Sequence, residues 1–402
     1  MNKSIVKILV VDDDTFTLNL FNRMLANLGF TTVFCADNGQ AALERVGSPT
    51  DSPDLILLDI HMPEMDGIEF VRHLVRRRFA GGLIIISGED ERTLQAVEKL
   101  ARSHKFNVLG HLQKPVSQER LAQMLAKWKP PTQEEPEAEK KIYGPDDVFL
   151  AIKGGELVNY YQPKVGISTR RVVGVETLVR WLHRRNGMVF PDQFIGVAEA
   201  NGMIDDLTLI VLTGALAQAK LWNEEGLKLN VAVNMSMKSF HSLVLPELVE
   251  GLAAKAGVPP QMVELELTES SLMEDVRAPL DILTRLRLKR FRLSIDDFGT
   301  GHSSLAQLRD LPFDELKVDK SFVHGAWNDE KLRAICGSSL SLGKQLGMSV
   351  VAEGIEDKAD WDFMRESGCD VAQGYYIARP MPANHLPGWI RSWEKSSEKV
   401  DK

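Results

Sequence analysis

Between residues 146 and 395 the chain repeats one pattern eight times, a short apolar run followed by a helical periodicity. The runs are Val158 to Val165, Val172 to Leu178, Leu229 to Asn234, Val263 to Thr268, Arg292 to Asp297, Glu315 to Asp319, Ser349 to Glu353 and Val371 to Tyr376. About 250 residues carrying eight β/α pairs is the size of a closed (β/α)8 TIM-type barrel, whose active site lies at the C-terminal face. Strand residues alternate faces, so a two-residue period sorts each run into outward and inward positions. The outward set is apolar: Val173 and Val175, Val231 and Val233, Leu265 and Leu267, Leu293 and Ile295, Leu316 and Val318, Val350 and Ala352. The inward residues near the strand ends are then Glu176, Asn234, Glu266, Asp296, Lys317 and Glu353. Six polar or charged groups converge on one rim.

A barrel core has no reason to hold four carboxylates together, because like charges raise one another's pKa and burial penalises the ionised form. A cation resolves the conflict. A donor set of Glu, Asn, Glu and Asp suits Mg²⁺ or Mn²⁺, and the absence of clustered His or Cys disfavours zinc and copper. The run ending at Asp296 and Asp297 breaks into a loop with Gly299 and Gly301. On that stretch alone Asp297 reads equally well as a turn or helix-capping residue. With the rim set, a shared Asp296 allows a second metal roughly 3.5 to 4 Å from the first, the spacing of two-metal phosphoester hydrolysis. Lys317 then orients water or offsets charge developing on a phosphate. Glu269 stands just past its strand and outside the metal set. Its nearest tasks are to accept hydrogen bonds from the loop of Gly299, Thr300, Gly301, Ser303 and Ser304, or to cap the following helix.

Residues 5 to 127 alternate five short apolar strands with five helical patterns, which predicts an open parallel sheet with ligands at the carboxyl ends of its strands. Those ends carry Asp12, Asp13, Asp59, Ser87 and Lys114. Three carboxylates at one edge repel unless a divalent cation binds, and oxygen donors favour Mg²⁺. A hydroxyl and an ammonium opposite them suit a phosphoryl group. Residues 128 to 145 place prolines among charges with little apolar content and read as a semi-rigid linker.

The bulk properties narrow the partners. With 44% hydrophobic and 26% charged residues, the composition describes a soluble chain of two or three domains. A net charge of -8 with no Lys/Arg-rich run argues against nucleic acid. Cys35, Cys336 and Cys369 are scattered, which suggests a reduced compartment without a structural disulfide or zinc. No apolar run approaches about 18 residues and no signal peptide is evident, so a cytoplasmic location without membrane partners is expected.

Two resemblances extend this reading. Residues 5 to 127 resemble the response-regulator receiver domain, a flavodoxin-like (βα)5 fold. Carried over, Asp59 of Leu57-Leu58-Asp59-Ile60-His61-Met62-Pro63 is the phosphoacceptor, Asp12 and Asp13 join it in binding one Mg²⁺, and Ser87 and Lys114 contact the phosphoryl group. The resemblance also implies a cis Lys114-Pro115 bond and a sensor histidine kinase as phosphodonor. Where that family carries Tyr or Phe, three residues before Lys114, this chain has His111.

Residues 146 to 395 resemble the EAL-type phosphodiesterases, which open the cyclic dinucleotide c-di-GMP to linear pGpG. The motifs are Glu176-Thr177-Leu178, with Thr177 where Ala is usual, Tyr161-Gln162-Pro163, Asn234-Met235-Ser236, Glu266-Leu267-Thr268-Glu269, Asp296-Asp297-Phe298-Gly299, Lys317-Val318-Asp319, Glu353-Gly354-Ile355-Glu356 and Gln373-Gly374-Tyr375. The resemblance implies one metal on Glu176, Asn234, Glu266 and Asp296, and a second among Asp296, Asp297 and Glu353. It makes Glu353 a general base, assigns substrate contacts to Gln162, Leu178, Arg180 and Gln373, and has Glu269 hold the loop that borders a barrel-to-barrel homo-oligomer contact. His302 and Gly196 stand where Tyr and Pro are usual. The expected whole is a receiver at 1–127, a linker at 128–145 and a phosphodiesterase barrel at 146–395. One rival is a catalytically inert c-di-GMP receptor. A barrel glycosidase, the other, has no use for Asn234, the adjacent Asp pair and Lys317 together.

Overall fold

The structure is a computed structural model that describes residues 6–48, 52–77, 79–103, 106–128, 143–236, 243–269, 277–300 and 305–397. The chain divides into two compact units, Met1–Glu139 and Lys140–Lys402. Most of the expected linker, and Gly301, His302, Ser303 and Ser304, lie outside the described residues. At the linker's two ends, Trp128 is buried in the first unit's core and Tyr143 in the second's.

In the first unit, strands and helices alternate as β1 (Lys7–Val11), α1 (Thr15–Asn27), β2 (Thr32–Ala36), α2 (Gly39–Val46), β3 (Leu55–Asp59), α3 (Gly67–Arg76), β4 (Gly82–Ser87), α4 (Glu91–Ser103), β5 (Asn107–Gln113) and α5 (Gln118–Ala126). The sheet is parallel in the order β2-β1-β3-β4-β5. Strands covered on both faces need no alternation, and β1, β3 and β4 accordingly run almost wholly apolar and buried. Two apolar cores result, one on each face. Asp14, Asn38, Asp66 and Ser117 cap α1, α2, α3 and α5 through their side-chain oxygens, and each cap also ends a strand-to-helix loop.

The second unit opens with α6 (Pro145–Gly154), β6 (Leu157–Gly166), β7 (Val172–His183) and β8 (Gly187–Val189), then α7 (Ile195–Ala200), α8 (Ile204–Glu224), β9 (Asn230–Asn234) and α9 (Leu245–Ala256). It continues through β10 (Val263–Thr268), α10 (Arg277–Leu288), β11 (Arg292–Phe298), α11 (Leu305–Asp310), β12 (Glu315–Val318), α12 (Lys320–Val323), α13 (Glu330–Gln345) and β13 (Ser349–Ala352). It ends with α14 (Lys358–Glu366), β14 (Val371–Ala372), β15 (Met381–Pro382) and α15 (Leu386–Ser397). Strands β14, β13, β12, β11, β10, β9 and β7 are parallel neighbours. β6 closes the barrel between β14 and β7, antiparallel to both. The (β/α)8 architecture therefore holds with its first strand reversed, because a short turn rather than a helix joins β6 to β7. The final strand is also shorter than the apolar run suggested: pairing stops at Ala372, after which the chain turns.

The outward residues of the two-residue period are at most 1% exposed, from Val175 and Val231 through Val350 and Ala352. Each such side chain contributes about 1.5–3 kcal/mol by burial against the helices. Val173 is the exception to the expected packing. It is 38% exposed, at the start of β7 beside a cavity at the barrel's N-terminal end.

Candidate active site

The rim residues come together because neighbouring strands are in register. Glu266 on β10 stands opposite Asn234 on β9, and Thr268 stands opposite Asp296 on β11. Carboxylate oxygens of Glu176, Glu266 and Asp296 lie within 4.8 Å of one another, as do those of Asp296, Asp297 and Glu353. Asn234 Nδ2 donates to Glu176 Oε1 at 2.8 Å. Adjacent residues on a strand point to opposite faces, yet Asp296 and Asp297 share a site. The register slips between Ile295 and Phe298, and Asp297 adopts φ 55°. That bulge with a left-handed residue turns the second carboxylate toward the first.

Lys317 stands at the centre of the rim, 0% exposed, with Nζ 2.7 Å from Glu353, 3.0 Å from Asp296, 3.2 Å from Glu266 and 3.7 Å from Glu176. None of the four is an aligned hydrogen bond. Burial works against the ammonium but is outweighed by Asp296, Glu176, Glu266 and Glu353, which hold its pKa well above the ordinary value. One ammonium does not balance this many acids. Burial pushes Glu353 up to about 8, opposed by Lys317 and reinforced by Asp296 and Glu176. Burial and then Asp296 push Asp297 up to about 6. The residues fit divalent cations: every donor is oxygen, and Glu266 Oε2 is a buried acceptor without a hydrogen bond.

The rim opens into a cleft of about 300 Å³, lined by Gln162, Glu176, Leu178, Asp296, Glu353 and Gln373 among others. Gln373 Nε2 donates to Gln162 Oε1 at 3.0 Å and to Glu176 Oε2 at 2.5 Å. Gln373 Oε1 is buried without a partner. Arg180 lies outside this lining, two residues beyond Leu178 on the same strand face, with its guanidinium near the Tyr160 and Phe190 rings. Glu269 is buried, and its Oε2 accepts from Gly299 N at 2.7 Å.

Beneath the rim, two residues deeper toward the barrel's N-terminal end, lies a second ionic layer that the strand-end residues alone do not reveal. Lys164, Glu264 and Glu315 are buried there, with Lys164 Nζ 2.5 Å from Glu315 and 2.9 Å from Glu264. The signal was present, since Glu264 precedes Glu266, and Glu315 precedes Lys317, by one strand period. Glu356, Lys320 and Tyr375 also line the cleft wall. The strand period does not reach them, because Glu356 and Tyr375 lie in loops and Lys320 opens α12.

In the first unit, Asp12, Asp13 and Asp59 bring carboxylate oxygens within 4.8 Å of one another. Lys114 Nζ lies 2.7 Å from Asp12 and 3.2 Å from Asp59, and Ser87 is fully buried at the end of β4. Burial raises the pKa of Asp59, with Lys114 opposing and Asp12 adding. Three acids facing one ammonium again form an oxygen set suited to a hard cation. The Lys114-Pro115 bond is cis. His111 is clamped rather than free: Nδ1 lies 2.6 Å from Glu98 and Nε2 2.9 Å from Glu91, both on α4. Among the described residues, no helix is long and apolar enough to cross a membrane.

Comparison with known proteins bears on both units. Residues 146–380 match the EAL domain family, and residues 8–126 match the response regulator receiver domain family. The chain is 31% identical over 383 residues to the cyclic di-GMP phosphodiesterase RocR of Pseudomonas aeruginosa, covering 95% of this chain and 97% of that one. It is 39% identical over 241 residues to the bifunctional diguanylate cyclase/cyclic di-GMP phosphodiesterase MucR of the same organism, covering 60% of this chain and 30% of the relative's length. A solved structure described as the PaMucR phosphodiesterase in complex with c-di-GMP is similar to 60% of this chain over 98% of its own, with a TM-score of 0.58 and 39% identity.

Proposed function

The chain belongs to the EAL domain family, with a response regulator receiver domain ahead of the barrel, and from that premise we propose that it hydrolyses c-di-GMP to linear pGpG under control of phosphorylation at Asp59. The observation that carries the reading is the pair of overlapping acid clusters, sharing Asp296, packed around a fully buried Lys317 at the C-terminal rim. Glu176, Asn234, Glu266 and Asp296 would hold one divalent cation, Mg²⁺ or Mn²⁺, and Asp296, Asp297 and Glu353 a second, which when bound would supply charge neutralisation at the phosphate and lower the pKa of water.

The chain's own groups do the rest. Glu353 accepts a proton from the attacking water as its oxygen bonds to phosphorus. The P–O3′ bond then breaks and O3′ takes a proton from solvent water, leaving a 5′ phosphate and a 3′ hydroxyl on the product. Lys317 offsets charge growing on the phosphoryl oxygens. Arg180 offers a planar fork to the second phosphate. Gln162, Leu178 and Gln373 line the cleft and fix the substrate, and Glu269 holds the backbone that follows Asp297 through Gly299. In the receiver, Asp59 takes a phosphoryl group from a histidine kinase with one Mg²⁺ held by Asp12, Asp13 and Asp59, while Lys114 and Ser87 receive its oxygens. Barrel pairing between copies completes the proposal.

The test is incubation of the chain with c-di-GMP and Mg²⁺, followed by chromatography for pGpG. Glu353→Gln keeps the shape and removes the charge, so hydrolysis should fall by about 100-fold or more while dinucleotide binding survives. Tight binding without turnover by the parent chain would instead favour the receptor reading.

A further inference from the structure

Glu266 is 0% exposed and is held from two directions. Its Oε2 lies 3.2 Å from Lys317 Nζ on the rim side. Its Oε1 accepts a hydrogen bond from Lys164 Nζ at 3.4 Å. Lys164 is 3% exposed and sits on β6, the reversed strand. Its ammonium has three N–H donors, and all three are used: the other two go to Glu315 at 2.5 Å and Glu264 at 2.9 Å. Those anchors are themselves braced. Ser294 Oγ donates to Glu315 at 3.3 Å, and Arg292 Nε stands 3.8 Å from Glu264.

A buried ionic layer is a poor source of stability, since desolvating each charge offsets most of the attraction, and apolar side chains would fill the space as well. Neutralising Glu264 and Glu315 accounts for two of the three Lys164 contacts. The third engages a rim acid. Among the described residues, Lys164 and Lys317 are the two cations paired with Glu266. Lys317 also pairs with Glu176, Asp296 and Glu353, so it belongs to the rim and shares whatever binds there. Lys164 touches none of these three and grips Glu266 from the opposite side. We propose that Lys164 is a positioning residue: it pins Oε1 of Glu266 and thereby presents Oε2 to the cation site, which rests on the assignment of Glu266 as a metal ligand above.

The experiment is Mn²⁺ binding without substrate, read by the electron paramagnetic resonance of free Mn²⁺. It uses the full chain with Asp12→Asn and Asp59→Asn so that the receiver acids do not compete. Lys164→Met alone strands two buried carboxylates, so it is combined with Glu315→Gln, which keeps the layer's net charge. The control is Glu315→Gln alone. The double variant, whose Glu264 loses the Lys164 ammonium, should melt lower than the control yet remain folded, and should bind Mn²⁺ about tenfold more weakly, the loss typical of removing a group that orients a ligand. Affinity within about twofold of the control would overturn the proposal and leave Lys164 a structural counter-ion. Should the double variant fail to fold, Lys164→Arg replaces it: the wider guanidinium displaces Oε1 and should still weaken Mn²⁺ binding about fivefold, and parental affinity there would overturn the proposal equally. If the control itself binds no Mn²⁺, the metal-site assignment fails, an outcome distinct from normal and equal binding by control and variant.

Discussion

Gly354 follows Glu353 directly, so a change there tests how tightly the loop holds the proposed base. The residue adopts φ 66°, and a Cβ added to it would stand 2.2 Å from Lys320 Cβ and 3.0 Å from Lys320 Cα. The left-handed conformation costs an Ala about 1–2 kcal/mol. Nonbonded carbons need roughly 3.5 Å, so the loop or α12 must move by more than an ångström, and overpacking of this kind costs about 1–3 kcal/mol. The loop cannot slide freely, because Glu353 N donates to Val318 O at 3.1 Å and Ile355 N donates to Gln373 O at 3.1 Å. Gly354→Ala should therefore destabilise the barrel by about 2–5 kcal/mol. It should lower kcat by about 100-fold, the effect of misplacing a catalytic group by an ångström. Urea unfolding followed by fluorescence of Trp222 and Trp361 reads the first, and pGpG formation reads the second. Gly196 is the control: its added Cβ meets nothing within 4 Å, so Gly196→Ala in α7 should stabilise by up to about 1 kcal/mol and leave kcat alone. Activity of Gly354→Ala within about threefold of the parent would refute the reasoning that this loop is rigidly placed.

Thr177 is 2% exposed and its hydroxyl is buried without a partner, so Thr177→Val should raise barrel stability by about 1 kcal/mol in the same urea assay; a loss would mean that the hydroxyl is bonded. Acetyl phosphate with Mg²⁺ should label the parent chain but not Asp59→Asn, as measured by intact mass after a short incubation, and equal labelling would place the acceptor elsewhere. At His111 burial works against protonation, but Glu98 and Glu91 outweigh it and raise the pKa above 6.5. The charged clamp on α4, which also holds Arg102 through Glu98, is then fully present below 6.5 and lost as pH rises through the folded value. Glu98, whose carboxyl is opposed by burial but lowered by His111 and Arg102 from 4.5, sets the acid limit of the same window. Relative to His111→Phe, receiver stability should be greater by about 1 kcal/mol at pH 6, and the difference should shrink toward pH 9; a flat difference in urea midpoints across that range would refute the clamp.

Much of this molecule is legible in its sequence. In the first unit the five strands and five helices expected from residues 5 to 127 all form in that order, because strands covered on both faces and capped helices are local statements. In the second, the two-residue period placed Glu176, Glu266, Asp296, Lys317 and Glu353 on one face, since pleating forces the alternation. What the period could not supply was strand direction and depth. That β6 runs antiparallel depends on the turn joining it to β7 and on closure against β14, a contact more than 200 residues away in sequence. Only that reversed strand brings Lys164 beneath Glu266. The bulge that lets Asp296 and Asp297 share a site is likewise a tertiary result, because the slip is set by how β11 pairs with β12. Sequence dictated which side chains face the barrel axis, through a period each strand carries by itself; only the closed barrel decided which of them meet, because long-range pairing sets the register and the burial that make four acids and one ammonium share a site.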